Sequence, residues 1–200
     1  MPVVEIVKAT VSEAYKADPS ILKPVFDFLV KVDGCLDFYY DLRPQETYSD
    51  LLWETLEHHR ALQRTPGYPQ IVGLGPVIEG ELQMNHVEFN KEVWQALNAP
   101  ITEFARLALK QGLQTATKDR LYEIWEEGGA KIDAKNKHAP AIWGQAVEDS
   151  DVFWFVCGWE SVKAHTDVIH GDLANFAPLI GNIGEITDTT TLHVKLSKAA

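Results

Sequence analysis

Two histidines at corresponding places in two similar segments are the strongest candidates for chemistry. His59 ends the segment 53–59 and His165 ends the segment 159–165. An imidazole titrates close to neutral pH, so at the mouth of an apolar pocket it can serve as a general base. In a cofactor-free oxygenation this catalytic base would deprotonate a phenol or enol, and the resulting anion would react with dioxygen. In a cyclase the same base would remove a proton from a carbon acid. The alternative is that both histidines only hold a strand–helix corner.

Five further residues are predicted to bind substrate. Trp53 and Trp159 begin the two segments and could stack on a flat ligand, with core packing as the alternative. His86 and His193 occupy the same place in the last predicted strand of each copy, where a histidine can face a pocket or bond to backbone. Tyr40 lies in a predicted strand whose side chains could line a pocket.

Neither a metal nor an organic cofactor is expected from the motifs. Glu54 and His58, four residues apart, could share a metal, but no third ligand has a recognisable spacing. His58 and His59 point about 100° apart on a helix, which prevents them from sharing one ion. The phosphate-binding, HExxH, CxxC and GxSxG motifs are missing, and the nearest glycine pattern fails the dinucleotide fingerprint. The sequence therefore agrees with cofactor-free chemistry.

Composition restricts the partners. The 200 residues include 18 Lys and Arg against 29 Asp and Glu, a net charge of −11. Nucleic acids and anionic membranes need a basic surface, so neither is expected as a partner. Apolar residues at 46% are enough for a core, and the predicted partner is a small hydrophobic or aromatic ligand. Two cysteines and an N-terminus without a secretory pattern predict a cytoplasmic protein.

The chain contains an internal repeat. Segment 53–59 matches segment 159–165 at an offset of 106 residues, with three of seven positions identical. The motif Pro-x-x-Glu recurs at Glu5 and Glu103 with an offset of 98 residues, and the two strand histidines match at an offset of 107 residues. Matches in one order with one insertion predict two copies of one unit, residues 1–98 and 99–200.

Each copy predicts the order β-α-β-β-α-β. In the first copy the predicted elements are strand 3–11, a helix after 18–20, strands 35–42 and 48–53 joined by a turn at 43–45, a helix at 54–64 and strand 81–89. In the second they are strand 101–109, helix 118–128 ended by two glycines, strands 140–147 and 152–159, a helix from Ser161, an irregular stretch and strand 187–196. This order is typical of the ferredoxin-like unit.

The predicted fold class is α+β, with two fused ferredoxin-like units that form an intramolecular dimeric α/β barrel. Helices cover only one face of a ferredoxin-like sheet, so the other face needs cover. The strand 152–157 is apolar at every position, which is typical of burial on both faces. The simplest cover is the sheet of the other copy.

At this point the chain resembles the dimeric α/β-barrel superfamily, in its antibiotic-biosynthesis-monooxygenase form and the tandem type found in fungi. Residues 159–165, the matching 53–59 and a turn at 144–149 carry the resemblance. It implies a pocket between sheet and helices in each unit, and activities that include cofactor-free quinone-forming monooxygenases, cyclases, isomerases and heme-degrading enzymes. The heme-degrading branch has an Asn on its first strand; strands 3–11 and 101–109 contain none, which disfavours heme.

The sequence thus predicts a cofactor-independent monooxygenase acting on hydroxyaromatic or polyketide-like substrates. A cyclase or isomerase in the same pocket is the enzymatic alternative. The superfamily's plant polyketide cyclase uses a Tyr where this chain has Val168, which argues against that mechanism. The non-enzymatic alternative is a ligand-binding or stress-associated barrel, and a homodimer of the fused barrel is a further expectation.

Overall fold

The computed structural model describes residues 1–41, 46–112 and 116–199, which form two compact units. The N-terminal unit comprises Met1–Glu88 and the chain end from Ser197, and the C-terminal unit comprises Phe89–Leu196. Each unit has one antiparallel sheet with helices, which confirms the α+β class and the two ferredoxin-like units. Within the described ranges, no helix has the length and hydropathy needed to span a membrane.

The N-terminal unit has the strand order β4-β1-β3-β2-β9. Its elements are β1 (Val3–Val11), α1 (Glu13–Ala17), a 3₁₀ helix (Pro19–Leu22), α2 (Lys23–Leu29), β2 (Cys35–Tyr40), β3 (Glu46–Trp53), α3 (Leu56–Gln63), a 3₁₀ helix (Gln70–Val72), β4 (Ile78–Glu88) and β9 (Ser197–Lys198). The Asp18 side chain accepts a hydrogen bond from the Ser20 backbone N–H and so starts the helical segment at the predicted place. Pro24 is tolerated because it lies in the first turn of α2. The predicted turn at 43–45 lies outside the described residues.

The C-terminal unit has the strand order β6-β7-β5-β8. Its elements are α4 (Trp94–Leu97), β5 (Ile101–Leu109), α5 (Ala116–Asp133), β6 (Ile142–Gln145), β7 (Val152–Trp159), α6 (Val162–His170), α7 (Leu173–Ile186) and β8 (Thr187–Val194). In both units the first strand of the repeat lies between its third and last strands, as the ferredoxin-like order requires.

Two predictions for the C-terminal unit were wrong. Helix α5 does not end at Gly128 and Gly129 but continues to Asp133. A Cβ on Gly129 would lie 3.2 Å from the Trp143 ring, so this glycine allows a close approach that offsets its low helix propensity. The stretch predicted to be irregular is α7, whose buried Phe176 and Leu179 are at helical spacing.

One face of each sheet packs against the helices of its unit, and this face carries the site. In β1, Val7 and Val11 share a face and pack into one buried cluster with Leu22 and Val25. In the C-terminal unit, the corresponding core joins side chains of β5 and β7 to helices α5 and α7. One position on the same face of each first strand is a carboxylate, Glu5 in β1 and Glu103 in β5.

Candidate functional site

In the N-terminal unit, a glutamate and two histidines meet on the helix-covered face of the sheet. The register of β1 and β4 places Glu5 directly opposite His86. His59, in the second turn of α3, approaches both: its Nδ1 lies 2.6 Å from His86 Nε2 and 3.3 Å from Glu5 Oε2. Glu5, His59 and His86 are termed the N-terminal triad.

The C-terminal unit repeats this arrangement with equivalent residues. The register of β5 and β8 places Glu103 opposite His193. His165, in the first turns of α6, has its Nδ1 2.8 Å from His193 Nε2 and 3.7 Å from Glu103 Oε2. Glu103, His165 and His193 are termed the C-terminal triad. Because both units have this arrangement, it is unlike a chance contact of three polar side chains.

A tryptophan at the end of the third strand of each repeat fixes the triad. Trp53 stacks on His59 with ring centroids 4.7 Å apart and planes 6° apart, and Trp159 stacks on His165 at 4.7 Å and 23°. Each indole N–H also donates to the triad carboxylate: Trp53 to Oε2 of Glu5 at 2.7 Å and Trp159 to Oε2 of Glu103 at 2.8 Å. The indole therefore orients the base with its face and the carboxylate with its N–H.

The turn after that tryptophan brings the histidine back over the sheet. Ser161 is the N-cap of α6, and its side chain accepts from the Ala164 backbone N–H. Capping starts the helix two residues after Trp159, so that His165 lies one helical turn later and faces the indole. In the N-terminal unit Thr55 occupies the same N-cap position before His59.

The two triads differ in exposure. Glu5, His59 and His86 are buried, with 6%, 2% and 2% of their surfaces exposed. Glu103 is also buried, whereas His165 and His193 are half-buried. Water therefore reaches the histidines of the C-terminal triad more readily.

Burial sets the protonation of the C-terminal triad. It raises the pKa of Glu103 to about 7, against the lowering effect of the Trp159 N–H. Burial, together with the nearby His193 and His170, lowers the pKa of His165 to about 4. The pKa of His193 is also lowered by burial. Both imidazoles are therefore uncharged at neutral pH and able to accept a proton.

An apolar cavity of about 390 Å³ adjoins the N-terminal triad. Glu5, His59, Trp53 and Tyr40 are part of its wall, together with aliphatic side chains of the helix-covered face. The Tyr68 ring lies edge-on to His59, with centroids 6.5 Å apart. The cavity combines one basic group with aromatic walls, which suits a flat apolar ligand.

A larger cavity of about 530 Å³ adjoins the C-terminal triad. Glu103 and His165 are in its wall, and Thr166 and Thr191 add hydroxyl groups to largely aliphatic and aromatic surroundings. His170, one turn of α6 further from the triad, also lines it. The chain thus offers two base-containing cavities of different size and lining.

The structure brings most of the predicted residues together. His59 and His165, predicted as bases, both contact a cavity, as do Trp53 and Tyr40. The other three predicted substrate contacts, Trp159, His86 and His193, are not among the described residues that line the cavities and instead contact the triad glutamate or histidine. The roles assigned to these residues remain predictions.

Sequence reasoning missed Glu5 and Glu103 as site residues. Both were recognised only as markers of the repeat. Their signal was nevertheless present, because each is an acidic side chain at an inward position of a strand whose other inward residues are apolar. A buried carboxylate at such a position requires partners, and the indole and imidazole groups supply them. Tyr68, which follows the aligned segment, carried no comparable signal.

Each triad also has the composition of a two-histidine, one-carboxylate metal site, with its three donor atoms within 4.8 Å of one another. Two nitrogens on one ion, each at 2.0–2.1 Å, would lie about 2.9 to 3.4 Å apart. In this structure the two ring nitrogens lie 2.6 Å and 2.8 Å apart, so the imidazoles contact each other directly in both triads. Glu54 and His58, the pair considered for a metal in the sequence, lie outside the triad, and His58 bonds to the Thr55 hydroxyl at 2.9 Å.

No protein-family profile and no curated protein matches the sequence. Solved structures do resemble the fold. An anthrone oxidase-like protein is 9% identical with a TM-score of 0.71, covering 100% of this chain and 94% of its own. A candidate monooxygenase from Fusobacterium nucleatum is 10% identical with a TM-score of 0.66, over 100% and 93%. A heme-binding protein from Thermus thermophilus is 10% identical with a TM-score of 0.53, over 98% and 92%.

At these identities the likeness establishes the fold alone. It confirms the ferredoxin-like architecture of two units along the whole chain. Proteins of that architecture include both oxygenase-like and heme-binding members, so the architecture does not choose between functions. The function must be argued from the triads and their cavities.

Proposed function

We propose that the protein is a small-molecule enzyme, a cofactor-independent monooxygenase that acts on hydroxyaromatic or polyketide-like substrates, with His59 and His165 as general bases. The observation that carries the proposal is the position of His165. It is an uncharged imidazole in the wall of an apolar cavity, with its Nδ1 already bonded to a second histidine. The geometry therefore leaves Nε2 as the atom that can accept a substrate proton.

The reaction begins when Nε2 removes a proton from a phenolic hydroxyl or an activated methylene group. In the apolar cavity the substrate anion is stabilised by the imidazolium beside it, and Glu103, 3.7 Å from Nδ1, balances that charge when ionised. The anion transfers one electron to dioxygen, and the two radicals combine to form a C–O bond. Loss of water from the resulting hydroperoxide gives a carbonyl. The balance is R₂CH₂ + O₂ → R₂C=O + H₂O, so no external reductant is required.

The tryptophans support this chemistry indirectly. Trp53 and Trp159 cover one face of each imidazole and thereby fix the direction of its ring nitrogens. The ligand that fits the remaining space is small and hydrophobic or aromatic. A fungal tandem-repeat origin, a cytoplasmic location and pairing of two copies stay predictions of the sequence.

Dioxygen uptake with a panel of anthrones, naphthols and hydroquinones tests the proposal, with the product mass determined for each. We expect uptake and an oxygen-inserted product with the wild type, and loss of part of the rate in His59→Ala and in His165→Ala. His58→Ala is the matched control, since His58 is adjacent to His59 but faces Thr55. A changed product without oxygen uptake would instead identify a cyclase or isomerase. Stoichiometric binding with the ligand returned unchanged would identify a binding protein.

A further inference from the structure

We infer that the C-terminal triad is a proton relay to solvent, in which His193 passes the substrate proton from His165 to water, and that the buried N-terminal triad exchanges protons with bulk water more slowly. The C-terminal site is then the faster of the two. This inference rests on the proposed function, because the relay serves the base that the function requires.

The relay begins at the contact between the two rings. His165 Nδ1 and His193 Nε2 are 2.8 Å apart, so one proton is shared between them and only one ring donates. When Nε2 of His165 takes a proton from the cavity, its Nδ1 proton moves to Nε2 of His193. The Nδ1 proton of His193 is then released. Each ring gains one proton and loses one, so the imidazolium formed at His165 by proton abstraction is transient.

The relay is reset later in the same turnover. Loss of water from the hydroperoxide needs a proton on the departing oxygen, and Nε2–H of His165 can supply it. His165 then recovers a proton from His193 through the same hydrogen bond, and His193 recovers one from water. One proton therefore leaves and one returns per turnover.

The exit depends on the position of His193. It is half-buried on β8, the last strand in the order of its sheet, so water has access to its ring. The titratable groups that face the relay are Glu103 on β5 and His170 on α6.

The N-terminal triad has the same contact between two imidazoles but is shielded from bulk water. His59 and His86 are 2.6 Å apart, but each has only 2% of its surface exposed, and Glu5 has 6%. Burial of His86 prevents bulk water from taking up directly a proton passed to this ring. The same three residue types should therefore transfer protons to and from water more slowly in the N-terminal unit.

The ligand-free protein allows a test that needs no substrate. In ¹⁵N-histidine-labelled protein, we expect a nitrogen–nitrogen coupling across the hydrogen bond between His165 Nδ1 and His193 Nε2. We also expect the shared proton to exchange with water faster than its counterpart between His59 and His86, by about tenfold or more, since exchange requires solvent access. Absence of the coupling, or equal exchange in the two triads, would overturn the relay.

Turnover gives the second test. In a His59→Ala background, His193→Gln keeps an acceptor beside His165 but cannot pass on a proton. We expect kcat to fall by about tenfold or more, as for loss of a proton-transfer group, with KM nearly unchanged and kcat restored by added imidazole. His86→Gln in a His165→Ala background is the matched control, with a smaller loss and no rescue.

The outcomes separate the relay from the proposed function. Oxygen uptake that survives His193→Gln, or that imidazole does not restore, overturns the relay and leaves the function intact. If no substrate is oxygenated, the function fails, and the coupling and exchange measurements still decide the relay. A stoichiometric divalent metal whose removal abolishes uptake would also overturn it, because the ion would replace the shared proton.

Discussion

The indole N–H of Trp159 donates to Oε2 of Glu103 at 2.8 Å, a bond between neighbouring strands β7 and β5. The equivalent bond joins Trp53 to Glu5 at 2.7 Å. A buried carboxylate is costly without such donors, and these bonds keep each one beside its histidine. The tryptophan is therefore part of the site even where it does not touch a ligand.

Replacing this donor should destabilise the protein in a pH-dependent way. Trp159→Phe keeps an aromatic ring but leaves the Glu103 oxygen unpaired, which should raise the pKa of Glu103 above the wild-type value. Urea unfolding should show a loss of about 1–3 kcal/mol, larger near pH 8 than near pH 5, because only the ionised carboxylate suffers fully. Trp125 is another buried tryptophan of the same unit, and Trp125→Phe is the control. It should lose a similar amount of stability at both pH values. Equal losses for Trp159→Phe at both pH values would contradict this role.

Glu103 and His165 of the C-terminal triad should affect stability in opposite directions. The pKa of Glu103 is raised from 4.5 to about 7 on folding, so its contribution is fully present below pH 4.5 and is lost as pH rises towards 7. The pKa of His165 is lowered from 6.5 to about 4, so its contribution is present above pH 6.5 and is lost as pH falls towards 4. The change for the buried Glu103 corresponds to about 3 kcal/mol and that for the half-buried His165 to less, because solvent screens its charge; between pH 4.5 and 6.5 the two contributions oppose one another.

Replacing either residue alone should expose the pH dependence of unfolding free energy that the other residue contributes. Glu103→Gln should lose stability as the pH falls from 6.5, and His165→Gln should lose stability as the pH rises from 4.5. The free energy of unfolding measured across this range checks both. The double variant is the control and should have a flatter profile than either. Two single variants with slopes of the same sign would show that the carboxylate and the imidazole titrate differently from this account.

A glycine outside the site should be essential for a packing reason. Gly34 has φ of +76°, and a Cβ there would lie 2.1 Å from Cγ of His58. Gly80 has nearly the same φ, +77°, with nothing within 4 Å of its Cβ position. Gly80→Ala should therefore cost only the left-handed strain, about 1–2 kcal/mol, and Gly34→Ala clearly more. Urea unfolding of both variants measures the difference, and equal costs would show that His58 moves aside freely.

The repeat made much of this fold predictable from sequence. Two-residue and helical periodicities located the strands and most helices, because burial alternates along a strand and follows one stripe of a helix. The pairing of Glu5 with His86 could not be read in the same way, since it depends on the register between β1 and β4, which a sequence pattern does not specify. Helix α7 was missed because its tertiary packing overrides the proline and glycines within it.

The central claim is that a neutral histidine starts the reaction of a substrate with dioxygen itself. Isotopically labelled dioxygen, supplied with an anthrone, tests it most directly in the wild type, His59→Ala and His165→Ala. The account predicts one labelled oxygen atom in the carbonyl product and a greater loss of labelled product in His165→Ala than in His59→Ala. A product that takes its oxygen from water, or labelled product formed equally by all three proteins, would contradict it.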